Sequence, residues 1–193
     1  MMAILAACVL APIPARAQQA QALVVKSLAS TKITDLPAGP LYWRLENFPT
    51  LPQAQSAATP TSLAVQSGGK VWLITLAPAG GATAGGTKVA EVGPVPPVAA
   101  TQYLLQVNEA SGPPGAITPQ HSHPGSETFY VLAGESSSRT PDGSMKVAAG
   151  HAMVGHSADT PMQVSSSGTS DLLSLVMFLV DANKPFSSPA KLP

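Results

Sequence analysis

Two histidines and a glutamate fall close together, at His121, His123 and Glu127, in a chain that has only 4 histidines among 193 residues. Imidazole nitrogens and a carboxylate converging on one point are ligands for a hard-to-borderline divalent metal. The spacing supports convergence. On an extended strand, side chains two apart leave the same face, which brings His121 and His123 together. Pro124-Gly125 then supplies turn chemistry, because proline presets φ and glycine accepts positive φ. A reversal there opens the next strand with Glu127 beside the two imidazoles.

The elements that must hold these groups read as strands. Leu23 to Val25, Leu63 to Val65, Val71 to Leu76, Tyr103 to Val107, Thr128 to Ala133 and Leu172 to Val180 are short, apolar and often β-branched. Between them lie loops rich in Gly, Ala and Pro, such as 78–86 and 93–97. No long amphipathic helix interrupts them, so the fold class is all-β, a sandwich or barrel. Thr128 to Ala133 is apolar on both faces and needs cover on both sides. Glu127, Phe129 and Val131 share the parity that faces the barrel interior; Tyr130 and Leu132 share the other, which must meet a second sheet or a partner subunit. Ser165 to Ser170 reads as a hydrophilic hairpin connection, and 181–193, with three prolines, as a surface tail without regular structure.

Composition bounds the rest. Hydrophobic content of 45% allows a real core, and 10% charged residues is far below the usual quarter. With 10 basic and 10 acidic residues and no basic cluster, nothing is arranged to neutralise phosphates, so nucleic acid is not expected as a partner. The opening segment is nearly all apolar and ends in Ala15-Arg16-Ala17, the small-x-small form of a cleavage site. We read 1–17 as a signal peptide, with no membrane association beyond export and a secreted or periplasmic location. It lacks the usual basic residue ahead of the apolar run. Cleavage there removes Cys8, the single cysteine, and with it disulfides, thiol catalysis and thiolate ligands. Nucleophile elbows, phosphate loops and dinucleotide glycine patterns are absent from the sequence.

The segment Gly115-x5-His121-x-His123-x3-Glu127-x6-Gly134 resembles the first motif of the cupin superfamily at every position. The resemblance implies a small jelly-roll barrel, here with extra N-terminal strands, and a metal held inside by both histidines and the glutamate. Together with the leader and the tail read above, the chain divides into a signal peptide (1–17), an N-terminal extension with the first barrel strands (18–100), a cupin core (101–182) and a C-terminal tail (183–193). The second cupin motif, which brings a further histidine, is degenerate. Ala158-Asp-Thr-Pro-Met-Gln-Val164 aligns with it, placing Asp159 at a glycine position and Met162 at the histidine position.

That substitution leaves several outcomes open. Met162 ligates through sulfur and favours copper(I); or it only fills space, leaving a two-histidine, one-carboxylate face of the kind used with Fe(II) and O2; or His156 or His151 takes its place; or no metal binds. The expected cofactor is a divalent transition metal, Fe, Mn or Zn, with Cu as the thioether alternative. The expected pocket wall is Phe129, Val131, Met153 and His156, with Trp72 and Tyr103 as further contributors. His156, set near the barrel mouth, could shuttle protons. The reading is an exported metal-binding cupin acting on a small organic molecule, as an oxygenase or as an isomerase or lyase; the alternative is a non-catalytic copper- or ligand-binding protein. Which residues are catalytic is not legible. Exchange or pairing of strands, as in other cupin-like barrels, together with the apolar face at Tyr130 and Leu132, points to a homodimer.

Overall fold

Alternating and β-branched apolar segments become strands throughout the computed structural model, which describes residues 21–193; the signal-peptide reading of 1–17 lies outside the described residues. In chain order the elements are β1 (Val24–Ile33), β2 (Tyr42–Phe48), a single-turn helix α1 (Leu51–Ser56), β3 (Ser62–Ser67), β4 (Lys70–Ala77), β5 (Thr87–Val92) and β6 (Tyr103–Gly112). There follow β7 (His121–Ser122), β8 (Gly125–Ala133), β9 (Glu135–Thr140), β10 (Gly143–Ala148), β11 (Ala152–Val154), β12 (Gln163–Ser166), β13 (Leu172–Asp181) and β14 (Ser188–Pro189).

Five strands in the order β1-β6-β13-β8-β11 make the main sheet, antiparallel throughout. A second sheet, β10-β9-β12, faces it and is extended by the segment around Ile117 to Ser122, which bonds to 162–166 and carries β7 paired with β14. The two enclose a jelly-roll barrel. Its interior is a cluster that includes Phe129, Val131, Val164, Val176, Phe178 and Val180.

A third sheet, β3-β4-β2-β5, lies against the outer face of the main sheet. Of the N-terminal extension, only β1 joins the barrel; the expectation that 18–100 contributes further barrel strands is corrected here. The reason is parity. Trp43 and Leu45 of β2, with Trp72, Ile74 and Leu76 nearby, form one apolar face that packs on Leu105, Val107, Tyr130, Leu175, Met177 and Leu179. The main sheet is therefore buried on both sides, which explains why β8 and β13 are apolar in both parities.

On β8 the parity reading holds: Phe129 and Val131 belong to the barrel interior, and Tyr130 to the outer cluster with Leu132 against it. Tyr130 meets Trp72 edge-on at 5.8 Å, so the cover comes from this chain's own sheet. The uncovered apolar face that argued for a homodimer is not there. Two loop expectations also change. Ser165 and Ser166 belong to β12, and the tail pairs through β14 with β7, so neither segment is wholly irregular.

Candidate metal centre

His121 sits on β7, where the chain crosses from the loop after β6 into the barrel. Its backbone is clamped to Met162 in both directions, with N–H donating at 3.0 Å and carbonyl accepting at 2.8 Å. His123 follows, its carbonyl accepting from the Asp159 N–H at 2.7 Å. Glu127 lies on β8 opposite Phe178 of β13, its side chain among interior residues. Behind it runs Gly155, where any Cβ would meet the Glu127 carbonyl oxygen at 1.7 Å. Only glycine permits that crossing.

The trio converges. One ligand atom from each of His121, His123 and Glu127 lies within 4.8 Å of the others. The imidazoles stand edge to face, centroids 5.0 Å apart. Each donates from Nδ1 to a backbone carbonyl: His121 to Pro119 at 2.8 Å and His123 to Phe186 at 2.6 Å. A carbonyl only accepts, so the ring nitrogen left over as a ligand atom is Nε2 in each histidine.

The electrostatics of the buried pair have plain causes. Burial pushes the Glu127 carboxyl up to about 8. Burial lowers His123 to about 4, against the Phe186 carbonyl, with His121 adding to the lowering. Glu127 Oε2 is enclosed and has no hydrogen-bond partner among the described residues. An orphaned carboxylate oxygen beside two free imidazole nitrogens is costly without a cation. Donors about 2.1 Å from a shared ion lie about 3–4 Å apart, so movements of about an ångström close this set on a divalent metal. The residues fit one.

Met162 is buried, at 1% exposure, and is the cross-strand partner of His121. Opposed residues of an antiparallel pair leave the same face, so its side chain neighbours the His121 ring. Asp159, placed at a glycine position by the motif alignment, has φ of +61°, a left-handed conformation natural to glycine. At Asp159 the backbone thus takes a conformation that suits the glycine of the motif.

The trio opens onto a cavity of about 370 Å³. Phe129 lines it, as expected. Val131 and Met153 do not; they pack deeper in the barrel core. Trp72 and Tyr103 belong to the cluster on the outer face of the main sheet. His156 is also absent from the wall: Ser138 Oγ holds its Nε2 at 2.8 Å, and burial lowers its pKa against the pull of Asp142. His151 is exposed on the surface.

The sequence reading missed most of the wall: Asn108, Val164, Val176, Phe178, and above all the tail residues Phe186 to Pro189. Val176 and Phe178 could be found only through register, since they oppose Phe129 and Glu127. The tail gave no local signal. It closes over the site through Phe186, through β14 on β7, and through Ala190 N–H to the Gln120 carbonyl at 3.2 Å.

Residues 109–178, from β6 to β13, match the family model described as Cupin domain. This segment holds the trio and Met162, and over it the chain is similar to that family. A comparison with curated proteins gives no match. Among solved structures the chain is similar to a cupin superfamily protein from Desulfitobacterium hafniense, at 17% identity over 40% of this chain and 68% of that one, with a TM-score of 0.36. A cupin-like protein from Thermotoga maritima gives 17% identity over 46% and 65%, with a TM-score of 0.40. A DMSP lyase from Ruegeria pomeroyi gives 21% over 45% and 43%, with a TM-score of 0.39. The chain therefore spans less than half the length of that lyase and about two thirds of the other two.

Proposed function

We propose that the protein is a metal-dependent cupin enzyme that acts on a small organic molecule bound in the barrel cavity. The observation that carries this reading is the placement of the trio in the wall of a largely apolar, half-open cavity. His121, His123 and Glu127 hold a divalent transition metal, Fe, Mn or Zn. A bound ion of this kind supplies Lewis acidity and open coordination positions. The chain's own contribution is to orient and exclude. The Pro119 and Phe186 carbonyls hold the rings in one tautomer, Phe178 and Phe129 exclude water from the inner wall, and Phe186 with Ser187 to Pro189 covers the outside. Such a site suits oxygenase or isomerase and lyase chemistry.

A second reading has one observation in its favour. Met162 stands beside His121 on the same face, where its thioether can join the set and turn the preference to copper(I), making the protein a copper or ligand carrier. Anaerobic titration of the metal-free protein with Fe(II), Mn(II), Zn(II) and Cu(I), in wild type and Met162→Leu, separates the two. The enzyme reading expects Fe(II), Mn(II) or Zn(II) binding that Met162→Leu leaves within about threefold. Tight Cu(I) binding that this variant abolishes would transfer the protein to the carrier class.

Export and self-association belong to the same proposal. The apolar leader at 1–17 supports a periplasmic or secreted site of action. For a homodimer, one edge that fits is β1 of the main sheet, where Val24 and Val25 are 64% and 51% exposed.

A further inference from the structure

Among the neutral polar residues around the cavity, Gln120, Ser187 and Ser188 lie on its half-buried or exposed rim. Thr118 Oγ1 accepts from the Val164 N–H at 3.0 Å, and Gln120 Oε1 accepts from the Leu192 N–H at 2.9 Å. Asn108 differs. It lies on β6 with only 3% exposure, yet it is part of the cavity wall. Its Oδ1 accepts from Gln106 Nε2 at 2.8 Å, which fixes the amide plane. Its Nδ2 has no acceptor among the described residues and is not sealed in protein, so its donors open on the cavity.

Register places that donor with respect to the metal centre. Asn108 pairs with Val176, and Glu127 with Phe178, on opposite edges of β13. Two strand spacings and a two-residue offset along the strands separate Asn108 from Glu127, about 12 Å between backbones. The space between is walled by Val176, Phe178, Phe129 and Val164. A buried donor without a partner is costly in an apolar wall, and a ligand oxygen removes the cost.

We propose that Asn108 is the specificity-determining residue of this cavity, and that the ligand is a small, mainly apolar or aromatic molecule carrying a carbonyl oxygen that accepts from Asn108 Nδ2. The volume of about 370 Å³ is at the lower end for ligand pockets, which sets the size. The inference rests on the reading of the trio as a metal site only for which end of the ligand faces Glu127; the Asn108 contact stands without it. Nothing in the wall offers a cation to a second charged group, and apart from Asn108 the inner wall offers little to a sugar's many hydroxyls.

Fluorine NMR on the full-length mature protein tests this with three probes of matched body: 4-fluoroacetophenone, 4-fluorobenzoate and fluorobenzene. Each is titrated with and without Zn(II) into wild type, Asn108→Leu and Asn108→Asp. The wild type should bind the ketone about tenfold more tightly than fluorobenzene. Asn108→Leu should bring the two within about twofold while leaving fluorobenzene unchanged, which also reports an intact cavity. Asn108→Asp, a group of similar size that only accepts, should lose ketone binding equally and benzoate binding more. A ketone preference that persists in Asn108→Leu, or failure of all three probes to bind the wild type, would overturn the proposal. Zn(II)-independent benzoate affinity together with a normal Asn108 effect would count against the metal reading alone.

Discussion

Glu127 and His123 bury ionisable groups whose folded and unfolded affinities for protons differ in opposite directions. In the metal-free protein the Glu127 carboxyl is raised from 4.5 to about 8. Between those values the unfolded chain has released a proton that the folded chain keeps, so stability falls as pH rises from about 4.5 to about 8. His123 is lowered from 6.5 to about 4, so the unfolded chain protonates first and stability falls as pH drops through that window. Above pH 6.5 only Glu127 of this pair is still changing. We expect the metal-free protein to lose stability between pH 6.5 and 8, at up to about 1.4 kcal/mol per pH unit. Thermal melts across that range check it: the decline should vanish in Glu127→Gln and on metal loading. Its persistence in Glu127→Gln would assign it elsewhere. At the same scale, Gly155→Ala forces a methyl group into the Glu127 carbonyl and should displace that side chain. Its metal affinity, read by competition with a chromophoric chelator, should drop at least about tenfold.

The strands that carry the trio were legible, while the element that closes it was not. Motif spacing grouped His121, His123 and Glu127 because alternation and the flanking apolar run are local signals; the reversal expected at Pro124-Gly125 does not form, since Gly125 already opens β8 without positive φ and β7 pairs with β14. Phe186 and Pro189 carry no such signal. Their place follows from β14 docking on β7, a pairing between segments far apart in sequence. His156 was misplaced for the same reason: its loop position suggested the mouth, but Ser138 of β9 holds the ring away from the cavity wall. The tail makes a prediction of its own. A chain ending at Ala182 loses the carbonyl that orients His123 and the outer wall of the cavity. Zn(II) affinity by calorimetry should fall about 10- to 100-fold, the usual effect of losing a partner of a metal-bound histidine. Affinity equal to that of the full chain would show that the tail is not part of the site.

At the scale of the molecule, the N-terminal sheet is structural cover for the barrel, and its parity told that story only once its partner was known. Trp43, Leu45 and Trp72 are apolar at positions that suit either a barrel interior or a sheet-on-sheet interface, so sequence left the choice open. The interface makes the two parts interdependent. Trp72, at 1% exposure, packs on Tyr130 and donates from Nε1 to the Ser67 carbonyl at 3.0 Å. Trp72→Ala should cost about 3–5 kcal/mol. Unfolding followed by circular dichroism and by the fluorescence of the remaining Trp43 should give coincident transitions. Separate transitions would mean that the third sheet is an appendage able to leave the barrel folded.

The account depends on one cation site built from three side chains, and metal content per chain measures it most directly. Elemental analysis of protein exchanged against Fe(II), Mn(II) or Zn(II) and then desalted should find one equivalent in the wild type. It should find almost none in His121→Ala, His123→Ala or Glu127→Gln, each still folded by circular dichroism. A folded wild type without bound metal, or full occupancy retained in all three variants, would contradict it.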